Sequence, residues 1–133
     1  MAPVEDLIPH RRPWQLVDRV VELGRDRVRA EKRLAANDPL LDGGRLPELL
    51  VVEALAQAAA CLRGEREGAR LGYLVAASGF EFAEAARAGD TLSLSAVEIA
   101  QLGALHRFSG EATVDGRLVA RGELTFSLRA ESK

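Results

Sequence analysis

Few side chains in this 133-residue sequence offer reactive chemistry: two histidines and one cysteine stand beside 20 acids. The acid in the oddest place is Glu53. In "LLDGGRLPELLVVEALAQAAACL" (40–62), Glu53 and Gln57 are the only polar side chains between Leu49 and Leu62. Four positions apart, they share one face of a helix. A carboxylate is rarely buried unless something pairs with it. In an apolar site a carboxyl holds its proton to higher pH and can serve as a general acid, so Glu53 is the leading catalytic candidate. Gln57, at this spacing, is suited to orienting it. His10, in "IPHRRP", is the candidate base. His106, on a strand beside Arg107, reads as an ordinary exposed residue. Asp18 reads as an ion-pair partner for Arg19 or a nearby strand, and Cys61 as a small core residue. So few His and Cys side chains leave a metal site short of ligands, and no cofactor is expected.

These groups need elements to hold them. Pro47 suits a helix's first turn and Glu48 its positive end, so a helix is expected from Pro47, ending at Gly64 or Gly68. It is apolar nearly all round and should be enclosed by other elements. "NDPLLDGG" (37–44) before it is turn chemistry. Upstream, "WQLVDRVVEL" (14–23) and "RVRAEKRLA" (27–35) read as a hairpin around Gly24 and Asp26. Downstream, "LGYLVAASGFEFAEA" (71–85), "TLSLSAVEIA" (91–100), "LHRFSGEATV" (105–114) and "RLVARGELTFSL" (117–128) read as strands. Asp115-Gly116 makes the last hairpin turn. One antiparallel sheet wrapped round one helix satisfies this order, an α+β architecture in a single domain, 1–133.

The bulk numbers narrow the function classes. Apolar residues make up 47% and charged residues 29% of the chain, an ordinary globular composition. A net charge of -2 gives no reason to expect a nucleic-acid partner. The apolar run at 49–62 is too short to span a bilayer and contains Glu53. The single Cys61 allows no disulfide framework, and no leader pattern opens "MAPVEDLIPHRRP", so a cytoplasmic location is expected.

Four blocks then resemble a known family. "IPHRRPWQLVDRV" (8–20), "PELLVVEALAQA" (47–58), "GFEFAEAARAGDTLSL" (79–94) and "GEATVDGRLVARGEL" (110–124) resemble the FabZ-type 3-hydroxyacyl-acyl-carrier-protein dehydratases. The resemblance implies a hotdog fold and a dimer whose sheets join edge to edge, with active sites in the interface. It implies acyl thioester substrates, carried on acyl carrier protein or coenzyme A. In that family a loop His of one subunit works beside a helix Glu of the other, and Glu53 falls on that Glu. Gln57 falls on the Gln closing the same motif. The loop His position is held by Gly44, in a shortened loop. Pro47 matches the helix-starting proline, and Glu48 replaces the glycine whose amide lies near the thioester oxygen. Gly44, Pro47, Glu48 and Gln57 are therefore the expected substrate-binding positions. The departures bring the chain closest to shortened dehydratase-like proteins of aryl-polyene and related fatty-acid-type pathways.

With its own loop His absent, the chain is expected to draw a His from a partner subunit or to use His10 as a substitute base, although the resemblance implies that a His in "IPHRRP" helps build the structure rather than reacting. Two other readings of the same residues remain: a thioesterase using Glu53 with water, or a non-catalytic hotdog subunit that binds a dehydratase or a carrier protein. Arg11, Arg12, Arg63, Arg66 and Arg70 are the expected docking residues for an acidic carrier.

Overall fold

The computed structural model describes residues 3–67 and 72–128, except the side chains of 63–67, 72, 73 and 128. Two helices, α1 (Val4–Leu7) and α2 (Glu48–Glu67), accompany six strands. These are β1 (Arg19–Leu23), β2 (Arg27–Arg33), β3 (Gly72–Phe82), β4 (Thr91–Leu102), β5 (Leu105–Val114) and β6 (Arg117–Leu128). They form one sheet in the order β1-β2-β4-β5-β6-β3, and every neighbouring pair is antiparallel. The expected α+β arrangement is what the chain adopts.

The alternation of side chains explains the wrapping. On β5, His106, Phe108, Gly110, Ala112 and Val114 point inward and are buried, while the residues between them face out. On β4 the same period buries Leu92, Leu94 and Ala96. Helix α2 lies against this inner face, with Ala54, Leu55, Ala58, Ala59, Cys61 and Leu62 fully enclosed. Each enclosed leucine contributes about 1.5–3 kcal/mol by leaving water. Leu55 of the helix packs over Gly110, where an added Cβ would meet its methyl carbons at 3.6 Å, an ordinary contact distance. Gly64 does not end the helix; α2 runs on to Glu67.

Two N-terminal features depart from the expected hairpin. Residues 14–18 form no strand, and β1 begins only at Arg19. The physical reason is hydrogen-bond demand: the Trp14 carbonyl and the Leu16 amide bond to Gln57 on α2 rather than to a neighbouring strand. The segment is a strap laid over the helix. Ahead of it, α1 follows Pro3 and carries Glu5 and Asp6 in its first turn, burying Val4 and Leu7 in the core. Sequence reasoning missed this turn of helix, although a proline followed by two acids is a start signal.

The loop before α2 is tightly closed. Asp42 and Arg45 exchange both backbone hydrogen bonds, at 2.8 and 3.2 Å, around Gly43 and Gly44. Those glycines have φ of 61° and 79°, both in the left-handed region, as a two-residue hairpin of the primed type requires.

Candidate active site

Among the described residues Glu53 has two polar contacts. Gln57 Nε2 donates to Glu53 Oε2 at 2.8 Å, and His10 Nε2 stands 3.5 Å from the same oxygen. Among the described residues Glu53 Oε1 makes no hydrogen bond, which leaves it for a guest. The Glu53 side chain is 38% exposed, so the single subunit does not close an apolar pocket over it, contrary to the enclosed acid expected from the sequence. The helix is wrapped, but at Glu53 its N-terminal half opens to the surface.

Gln57 is 1% exposed and fully used. Its amide nitrogen also donates to the Trp14 carbonyl at 2.8 Å, and its oxygen accepts the Leu16 amide at 2.7 Å. Both donor hydrogens are thus engaged, so Gln57 has none left for substrate. It is a clamp between strap and helix that fixes the Glu53 carboxyl, in place of the substrate contact that the resemblance implies.

His10 is brought to Glu53 across 43 positions of chain, on the bend between α1 and the strap. Arg11 fixes that bend by donating to the carbonyls of Glu5, Ile8 and His10. His10 Nδ1 is buried with no hydrogen-bond partner among the described residues. The ring is thus held by backbone geometry and packing, with its Nε2 edge toward the carboxyl.

His106 corrects an expectation. It is buried, and its Nδ1 lies 2.6 Å from Glu98 Oε2, both side chains being less than one-tenth exposed. The inward period of β5, which also carries Phe108, places it there. Cys61 is buried, and desolvation pushes its thiol pKa up to about 12, so it is no nucleophile.

The remaining expected positions gather at the helix start. Pro47 and Glu48 line a cavity of about 460 Å³ with Arg45, Val51, Phe82 and Arg87. Gly44 is not among its lining residues; it sits in the exposed turn, and its carbonyl accepts the Ala88 amide at 2.9 Å. A His in that position would have to adopt the same left-handed φ, so the turn itself accounts for a glycine there. Of the expected docking arginines, Arg11 is folded onto backbone carbonyls and Arg12 is paired with Asp18 at 3.2 Å. The side chains of Arg63 and Arg66, and the whole of Arg70, lie outside the described residues.

Sequence reasoning also missed Lys32. The period-2 pattern of β2 buries Val28, Ala30 and Lys32, so the signal was present. Lys32 Nζ stands 3.5 Å from Asp18 and 3.4 Å from Asp38. Asp18 pairs with Lys32 and Arg12, not with Arg19, which is bonded to Glu31.

A helix wrapped by one antiparallel sheet, with a carboxyl clamped on its opened flank, defines a protein of the hotdog type. The family model described as ApeP-like (ApeP dehydratase) matches residues 2–131. A 3-hydroxyacyl-[acyl-carrier-protein] dehydratase FabZ from Oceanobacillus iheyensis is 35% identical over 134 residues, 95% of this chain and 96% of that protein. The FabZ of Nitrosomonas eutropha is 39% identical over 135 residues, 92% and 93% of the two chains. Among solved structures, the dehydratase heterocomplex ApeI:P from Xenorhabdus doucetiae matches with a TM-score of 0.88 at 22% identity, covering 98% of this chain and 93% of that one. Escherichia coli PaaI shares the fold more distantly, with a TM-score of 0.70 at 18% identity over 84% and 82% of the chains. The chain belongs to the ApeP-like dehydratase family, a group of the FabZ type.

Proposed function

We propose that this chain supplies the carboxyl half of a dehydratase site that acts on 3-hydroxyacyl thioesters in fatty-acid or polyene-type biosynthesis. The observation that carries this reading is the Glu53 carboxyl: one oxygen is held by Gln57 and faced by His10, while the other is left open. In the reaction a base takes the C2 proton, the C2–H pair becomes the second bond between C2 and C3, and the C3–O bond breaks. Glu53 gives its proton to the departing hydroxyl, which leaves as water. The product is a 2-enoyl thioester.

The base comes from a second subunit. Gly44 stands where the FabZ pattern carries its His, in a two-residue turn closed by the Asp42–Arg45 backbone pair. The surface for a second subunit is the β3 edge. β3 is last in the sheet order and exposes Leu74, Val75 and Phe82. An apolar edge strand of this kind is a template for another strand. A related hotdog subunit bearing a loop His fits both needs, and the Xenorhabdus structure, a heterocomplex that superposes closely, supports it. The thioester is carried on acyl carrier protein, as in the names of the FabZ relatives.

The test is to incubate the purified chain, alone and with a His-bearing homologue, with 3-hydroxyacyl thioesters, and to follow formation of the 2-enoyl product. The pair should dehydrate, and the pair carrying Glu53→Gln should not. Fast turnover by the chain alone would overturn the partner requirement and make His10 the base.

A further inference from the structure

We infer that Lys32 and Asp18 are positioning residues for the Glu53 site, joining the two loops that flank it. This rests on the reading of Glu53 as the reacting carboxyl. The starting point is an anomaly of burial. Lys32 occupies an inward position of β2, where the neighbouring inward residues are Val28 and Ala30, and its side chain is only 5% exposed. An ammonium in such a place costs desolvation and persists only when carboxylates compensate it.

Its two carboxylates come from different loops. Asp18 ends the strap of residues 14–18, and Asp38, itself 10% exposed, lies in the loop that leads from β2 through the Gly43-Gly44 turn into α2. Asp38 also accepts the Leu40 amide at 2.9 Å, which fixes the turn that follows it. Asp18 is a hub: one oxygen faces Lys32 and Arg12, and the other accepts the Arg33 amide at 2.7 Å. Arg12 and Asp18 therefore close the segment between them at both ends. Within that closed segment lie Trp14 and Leu16, whose backbone holds Gln57, and Gln57 holds Glu53. His10 is two residues before Arg12. The route from Lys32 to the carboxyl is continuous, and every link but the strap's covalent backbone is a hydrogen bond or an ion pair.

Among the contacts of the described residues, neither Lys32 nor Asp18 touches Glu53 or His10, so their influence passes through the strap. Small displacements of a reacting group can cost about 100-fold in rate. The experiment uses Lys32→Met, an apolar replacement of similar length, with Asp18→Asn as the second variant. Two readouts are taken. In the ¹⁵N-labelled protein, the Gln57 side-chain amide and the His10 ring resonances report the clamp without reference to activity. In the complex with a His-bearing homologue, kcat and KM are measured separately.

The expected result is a folded Lys32→Met protein with shifted or broadened Gln57 and His10 resonances. Its kcat should fall about 10–100-fold, with KM changed much less. Unmoved resonances in folded Lys32→Met would overturn the inference. If Lys32→Met does not fold, unmoved resonances in Asp18→Asn would overturn it equally. Moved resonances in a protein whose wild type shows no dehydration would sustain the coupling and fail the functional reading instead.

Discussion

The two histidines each face a glutamate, and the pairs differ in every respect that matters. His106 and Glu98 sit 2.6 Å apart, under the sheet's inner face and less than one-tenth exposed. His10 and Glu53 sit 3.5 Å apart at the open flank of α2, each more than one-third exposed. The buried pair is closed by its own short contact and shut off from any arriving molecule. The open pair keeps a carboxylate oxygen and a loosely engaged ring nitrogen for something that arrives. The tight contact between acid and imidazole thus goes with enclosure here, and the looser one with an accessible carboxyl.

That contrast can be broken in order of expected effect. Glu53→Gln keeps the shape and the Gln57 contact but loses the transferable proton. Dehydration by the paired enzyme should fall about 10²–10⁴-fold, the span a general acid supplies. Thermal stability should hold or rise, since a neutral isostere replaces an awkwardly placed acid. If stability fell while the rate survived, Glu53 would be the structural glutamate of the two.

The two histidines should show their loss in different measurements. Removing the ring in His106→Ala deprives Glu98 of a buried contact and should cost about 1–3 kcal/mol in denaturant titration. The rate per folded molecule should be preserved. His10→Gln should leave stability within about 0.5 kcal/mol, as at other partly exposed sites. Its effect should fall on the rate. Equal effects of the two variants on rate would erase the distinction.

Gly44→His, which restores the family's residue type without its loop, should not make the chain active alone. It forces a side chain into a φ of 79° and should cost about 1–2 kcal/mol, seen as a lowered midpoint of unfolding. Smallest at neutral pH is the effect at Cys61. Burial raises its thiol pKa from 9.0 to about 12, so the folded state holds the proton more tightly than the unfolded chain does. The stability tied to that proton is complete below pH 9 and is lost as pH rises toward 12. An alkylating reagent near pH 8 should therefore label Cys61 only upon unfolding.

The elements with strong local signals were legible in the sequence. Leu105–Val114 and Arg117–Leu128 fall where alternation and the Asp115-Gly116 turn place them, and α2 begins beside Pro47 as expected. Glu53 with Gln57 was legible as well, because a spacing of four is a local fact. The strap was not legible: its backbone bonds to a side chain more than 40 positions away, and no propensity at 14–18 announces that. The approach of His10 to Glu53 is hidden for the same reason, since it depends on how the strap and its preceding bend lie on the helix. At His106 the alternation of β5 points inward while the polarity of the side chain points outward, and in the fold the period wins. Lys32 presents the same conflict on β2 with the same outcome.

The clamp at Gln57 has a consequence at the sheet's margin. By holding the 14–18 backbone on the helix, it keeps β1 to five residues, with Arg19 and Glu22 outward. That margin offers little for another strand to pair with. The opposite margin, β3, is eleven residues long and carries bare Leu74, Val75 and Phe82. A sheet with two receptive margins can add copies at both and grow into an open fibre. A sheet with one can only be capped, and a two-fold related subunit on β3 closes the set. On the function proposed above, the hydrogen bonds that fix the Glu53 carboxyl thus also leave β3 as the margin at which a partner subunit is expected to add.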